Sequence, residues 1–310
     1  MNPSVVRFLP GIDPLFWLLT LSAVGCQAPS EEPGPESGDL SLEIIALESR
    51  VFGNTRNLRV WLPPGYHDPA SSDRFYPVLF LNDGQNLFDS ATALFGSKEW
   101  QVDEIATALL EAGRISPIVV VGIDNAGRSG RAREYLPFPD AFLDPPEPNP
   151  QGSLYGEFLA EEVIPFVESH FRIRGDGRVL GGSSYGALVS MHVAISRPGL
   201  FTGLLLESPS FYVDDNHILE EAAAGDLELD RVYIGVGTNE LAFDGCPEHP
   251  GNEEAVEGVR RMASILQDAG LRDGSQLVVT IEECAEHDED AWAGRLPTAL
   301  SFLFPPGAAS

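Results

Sequence analysis

The stretch VLGGSSYGALVSMH, residues 179–192, decides how this chain folds. An apolar run enters it, glycines and serines interrupt it, and an apolar run with helical spacing leaves it. Inside sits G-x-S-x-G, read as Gly182, Ser183, Ser184, Tyr185 and Gly186. Alone, that pattern often marks nothing more than a turn. Between a buried strand and a helix it predicts a strained turn that lifts the Ser184 hydroxyl above a sheet edge, a nucleophile elbow. Glycines at 182 and 186 suit a place where side chains would strike neighbouring backbone.

Reading outward, strands alternate with helices. Residues 41–66 alternate apolar and polar around Gly53-Asn54 and predict an antiparallel hairpin. YPVLFLNDG (76–84) and PIVVVGIDN (117–125) read as buried strands, and LFTGLLLES (200–208), RVYIGVG (231–237) and QLVVTIEE (276–283) as further strands. Helical spacing covers 99–112, 156–171, 185–196, 253–270 and 292–304. This order predicts an α/β fold: a mostly parallel central sheet, helices on both faces and an antiparallel N-terminal edge.

A serine hydroxyl is a poor nucleophile and needs a base, which needs an acid to hold its tautomer. In this architecture the chain order is Ser, acid, His. His217, His249 and His287 follow the elbow helix, and His287 alone sits between a late strand and the last helix. It is the expected base. His249 lies in a polar loop and is the weaker candidate; His67, His170 and His192 read as structural. The acid should follow RVYIGVG, where TNELAFD offers Glu240 and, as alternative, Asp244. Glu240 is nearer the strand end. The oxyanion needs donors. The expected pair is the backbone N–H of Tyr185 and an amide of the NDGQNLFD turn, Gln85, with Asn86 as alternative.

The ends and the charge bound the setting. Arg7 precedes an eleven-residue apolar run, Pro14–Val24, too short for a membrane span and suited to a signal peptide over 1–25. It ends in SAVGC, which resembles a lipoprotein box with Cys26 as the lipidated residue; ordinary secretion is the alternative. Residues 26–39 are rich in Pro, Glu, Ser and Gly and read as a disordered tether, so the folded domain is expected over 40–310. The expected location is extracytoplasmic, with membrane contact only through the lipid. A formal net charge of −28 opposes a nucleic-acid surface, which needs a basic patch. Three cysteines, less Cys26, leave Cys246 and Cys284 in an oxidising compartment. Each lies close to a catalytic candidate, so a disulfide between them would tie the acid and base loops.

Taken together, RVWLPPGY, PVLFLNDGQNLFD, EVIPFVESHFR, GGSSYGALVS, ESPSFY, VGTNE and HDEDAWAGRLPTALSFLF resemble the esterase family of α/β-hydrolases, which includes enterochelin, S-formylglutathione and feruloyl esterases. The resemblance covers about residues 42–304. It implies the α/β-hydrolase fold, Ser184 as nucleophile, Glu240 as acid, and His287 as base in an H-x-x-x-x-W context with Trp292. Tyr185, Ala187 and Asn82 depart from the family's common residues. The expected activity is hydrolysis of a small-molecule or glycan ester with no metal or organic cofactor. The rival readings are acyl transfer to a sugar or lipid alcohol, and a non-catalytic binding module. The loop 137–155 is long and Pro-rich, an overhang of the site or a surface spacer.

Overall fold

The short apolar runs become strands because their side chains divide between two faces. In β3 (Val78–Asn82), Val78 and Phe80 join one core cluster while Leu79 and Leu81 join another. The same division recurs in β4 (Val119–Ile123), β6 (Gly203–Glu207) and β7 (Arg231–Asn239). Both faces are therefore covered, as continuous apolar strands require. The computed structural model describes residues 41–307, apart from Phe95 and Ser97. The expected signal peptide, the tether and Cys26 lie outside the described residues.

In chain order the elements are β1 (Ser41–Ser49), β2 (Asn54–Leu62), β3, α1 (Val102–Glu111), β4, α2 (Arg131–Tyr135), α3 (Tyr155–Phe158), α4 (Ile164–His170), β5 (Val179–Ser183), α5 (Tyr185–Ser196), β6, α6 (Val213–Ala224), β7, α7 (Pro250–Asp268), β8 (Leu277–Glu286) and α8 (Glu289–Leu303). The strands form one eight-stranded sheet in the order β1-β2-β4-β3-β5-β6-β7-β8. The β1–β2 hairpin is antiparallel and joins β4 antiparallel; all other neighbours are parallel. The α/β-hydrolase expectation holds in architecture. Among the described residues, no helix is long and apolar enough to cross a membrane.

Helix α5 is buried over most of its length, which fits an element apolar nearly all round. Three local features depart from the sequence expectation. The helix expected from residue 99 starts at Val102, because Gln101 takes a left-handed φ of 53°. The helix expected over 156–171 is interrupted by a π turn, Leu159–Val163. Pro165 stands at its exit and cannot donate the backbone bond a regular helix needs there. Helix α6 was not expected at all. It opens with Asp214, Asp215 and Asn216 in left-handed conformation, and its acidic, short sequence carries a weak period.

Cys246 and Cys284 are bonded, with Cα atoms 5.5 Å apart and 38 residues of separation. The bond joins the loop after β7 to the end of β8. Closing a loop of that size stabilises by about 3–4 kcal/mol in the chain-entropy account. The double variant Cys246→Ser, Cys284→Ser should therefore lower Tm by about 5–10 °C in calorimetry. An unchanged Tm would mean that the bond adds nothing to the fold.

Candidate active site

Ser184 stands between β5 and α5 with φ 58° and ψ −125°, a conformation that non-glycine residues rarely adopt. The surroundings hold it there. Its N–H donates to Glu207 O (3.0 Å), and its carbonyl accepts from Ala187 N and Leu188 N (3.1 Å each). The turn leaves no room beside it. A Cβ on Gly182 would come within 3.0 Å of Asn82 Cβ and 3.1 Å of Gly186 C. Asn82 also ties the turn down, donating to Gly186 O and Ser190 Oγ (3.0 Å each) and accepting from Tyr155 O–H (2.6 Å). The family departure at Asn82 thus has a structural task.

Glu240 and His287 meet above the ends of β7 and β8. His287 Nδ1 lies 2.6 Å from Glu240 Oε2. The Glu240 side chain is 6% exposed and that of His287 34%. The carboxylate is thus enclosed while the imidazole faces open space. Glu240 Oε1 accepts from Gly237 N–H (2.6 Å) and Ser208 O–H (2.8 Å). Burial pushes the Glu240 pKa up, but the bonds from His287, Gly237 and Ser208, with the His287 charge, outweigh it and hold the pKa below the ordinary value. Asp244 is exposed and has no polar partner among the described residues.

Ser208 is a residue that sequence reasoning missed. It follows β6, accepts from Trp292 Nε1–H (2.9 Å) and donates its own hydroxyl to Glu240 Oε1 (2.8 Å). Trp292 also packs edge-on against His287, with ring centres 5.3 Å apart. Its signal was the segment ESPSFY, read there only as a family likeness. Ser210, from the same segment, was missed too. Its buried hydroxyl lies 3.3 Å from Ser184 Oγ. Ser184 makes no hydrogen bond to His287 among the described residues; the two line one cavity of about 540 Å³. Ser208→Ala should lower kcat for ester turnover by about tenfold with KM little changed, because Glu240 loses a charge-assisted donor. Ser208→Thr should recover part of that loss. Equal losses in both variants would mean that Ser208 acts only through packing.

Of the two expected amide donors, Tyr185 opens α5 and Gln85 lies in a short 3-10 turn, Gly84–Asn86. Tyr185 N and Gln85 N have no acceptor among the described residues, whereas Asn86 N donates to Asp83 O (2.9 Å). The Gln85 turn is pressed onto β4: a Cβ on Gly84 would stand 2.6 Å from the Gly122 carbonyl carbon. Gln85 Oε1 accepts from Asn125 N–H (3.2 Å), and Asn86 Nδ2 donates to Glu289 (3.1 Å). The loop 137–155 docks on the elbow, where Tyr185 O–H donates to Asp140. The other histidines sit elsewhere. His192 faces Glu221, His249 caps α7, His170 stacks on Phe166, and His67 packs against Tyr66. His217 packs against Phe138.

With this geometry in hand, known proteins give a consistent comparison. The family model described as "Putative esterase" matches residues 49–303. The protein YjcH of Bacillus subtilis is 29% identical over 195 residues, which are 62% of this chain and 70% of that one. The siderophore enterobactin esterase of Emericella nidulans is 28% identical over 197 residues, 55% of this chain and 63% of that enzyme. The match therefore spans less than two thirds of that enzyme's length. An IroE-like serine hydrolase from Shewanella oneidensis has the same fold: TM-score 0.63 at 23% identity, covering 84% of this chain and 79% of that one.

Proposed function

The chain belongs to the esterase family of carboxylic-ester hydrolases, and within it we propose a serine enzyme that works through an acyl intermediate. One observation carries this reading. The Glu240–His287 hydrogen bond of 2.6 Å opens onto the cavity that Ser184 also lines. In the proposed cycle Ser184 Oγ attacks the ester carbonyl carbon while its proton passes to His287 Nε2. His287 Nδ1–H donates to Glu240, which fixes the tautomer and steadies the imidazolium. The carbonyl oxygen becomes an oxyanion held by the Tyr185 and Gln85 amides; the engaged Asn86 amide makes Gln85 the better of the two turn candidates. The tetrahedral intermediate collapses, His287 returns the proton to the leaving alcohol, and an acyl-Ser184 ester remains. Water, deprotonated by His287, repeats the sequence and frees the acid. The resting contact of Ser184 with Ser210 gives way to His287 as substrate enters, in keeping with catalytic hydrogen bonds that tighten only in the complex.

The substrate we propose is a small-molecule ester, since a relative is named a siderophore enterobactin esterase. Rapid mixing with a 4-nitrophenyl ester tests the cycle: a burst of nitrophenol equal to the enzyme concentration, then a slower steady rate, is the expected record. No release from any of a panel of esters would end this reading and leave a binding module. Added sugar or lipid alcohols should not divert the acyl group; ester products formed from them would turn the assignment to acyl transfer. We further propose that the enzyme works outside the cytoplasm on a lipid anchor at Cys26, from the SAVGC segment and the tether. Cys26→Ser should move it from the membrane fraction to the soluble envelope fraction or the medium. A wild-type protein already soluble, with an unmodified Cys26, would refute the anchor.

A further inference from the structure

The walls of the catalytic cavity carry charge in an unusual balance. Among the described residues two cations line it, Lys98 and Arg131, and both are committed. Arg131 holds Asp83 through two bonds, Nε to Oδ1 and a second nitrogen to Oδ2, each 2.8 Å. Lys98 Nζ lies between Asp288 (2.7 Å) and Asp290 (2.5 Å). Of these partners Asp83 and Asp288 also line the cavity, and Glu289 lies beside them. Burial raises the Asp288 pKa, but the bond from Lys98, the backbone bonds at Ala291 and Asp290 and the Lys98 charge together outweigh it and keep that carboxyl below the usual range. Burial and the neighbouring Asp288 push Glu289 up. With Glu289 neutral the wall is balanced; with Glu289 ionised it is negative. A protonated His287 would be matched by the Glu240 carboxylate it contacts, so in neither state does the wall present net positive charge to a ligand.

An anionic substituent entering this cavity would lose its water and gain no cation in return, which is costly. It would also approach against the field of a chain with a formal charge of −28. The reaction's own transient oxyanion escapes this penalty, because backbone amides serve it. From this we infer that the site takes esters whose acyl and alcohol parts are uncharged or cationic, and discriminates against anionic esters. The inference rests on the esterase reading above and specifies its substrate class. Selectivity of this kind works by rejection: the wrong ligand meets like charge and unpaired polar groups.

Three 4-nitrophenyl esters of one acyl length test it: hexanoate, the mono-ester of adipate, and 6-(trimethylammonio)hexanoate. kcat/KM is measured for each at low and at 0.3 M salt with the full folded chain. At low salt the adipate ester should be about tenfold or more slower than hexanoate, and the cationic ester no slower than hexanoate. Salt should narrow the adipate gap, because screening weakens charge effects, whereas a purely apolar preference would not shrink. Asp290→Asn should relieve Lys98 of one partner and raise the adipate rate several-fold, with hexanoate moved by less than twofold. An adipate ester turned over as fast as hexanoate at low salt, or a gap indifferent to salt, would overturn the inference. Failure of all three esters would remove the esterase reading and this inference with it.

Discussion

Ser184→Ala is expected to lower kcat/KM for ester hydrolysis by about three orders of magnitude or more. The size follows from what the hydroxyl supplies. In the proposed cycle no acyl intermediate forms without it, and only binding and the amide donors remain. The fold should survive the change. Among the described residues the Ser184 side chain has one hydrogen-bond contact, Ser210 at 3.3 Å, while the strained backbone is held by main-chain bonds that alanine keeps. Stability should therefore move by less than about 1 kcal/mol, so a lost rate cannot be blamed on unfolding. Ser183→Ala is the control. Ser183 ends β5, is buried and lines the same cavity, but takes no part in the proposed cycle; its variant should retain most of the rate.

Glu240→Gln should cost almost as much, about three to four orders of magnitude in kcat. The amide oxygen can still accept from Gly237 and Ser208. Its NH2 would then face His287 Nδ1, which must become the acceptor, and the tautomer that leaves Nε2 free to take a proton is lost. Asp244→Asn, at an exposed position, should be mild. The reverse ranking would move the acid to Asp244. The same carboxylate has a signature in stability. Its folded pKa is lowered from the ordinary 4.5, so its stabilising contribution is complete above about pH 4.5 and is lost as pH falls through the folded value. Acid unfolding of Glu240→Gln should lack that contribution and be correspondingly less steep below pH 4.5. Identical acid limbs in variant and wild type would contradict the charge arrangement drawn for Glu240.

Most of the fold was legible because the buried strands are short apolar runs with turn residues at their ends. VLFLN and VVVGI carry an apolar residue for each face of the sheet, and no other element explains such a pattern as well. The hairpin was legible from alternation around Gly53. Helix α6 was not, since its start depends on three left-handed residues that no period announces. The π turn before Pro165 was likewise a matter of local backbone, visible only as a proline in a helical pattern. In the site, residues tied to a motif or a strand end could be named from the chain: Ser184 by its elbow, Glu240 and His287 by their loops. Ser208 and Ser210 could not. Their importance comes from side chains that meet across 32 and 26 residues of sequence, which depends on where the loop after β6 runs. The pairing of Lys98 with Asp288 and Asp290, across about 190 residues, was hidden for the same reason.

The most direct test of the catalytic assignment is covalent. A fluorophosphonate reacts with a serine that a neighbouring base has activated, and mass mapping of the digested protein locates the adduct. The account predicts one stoichiometric adduct on the peptide carrying Ser184, absent in Ser184→Ala and slowed strongly in Glu240→Gln. An adduct on another residue, or no adduct while the folded wild type hydrolyses esters, would contradict it.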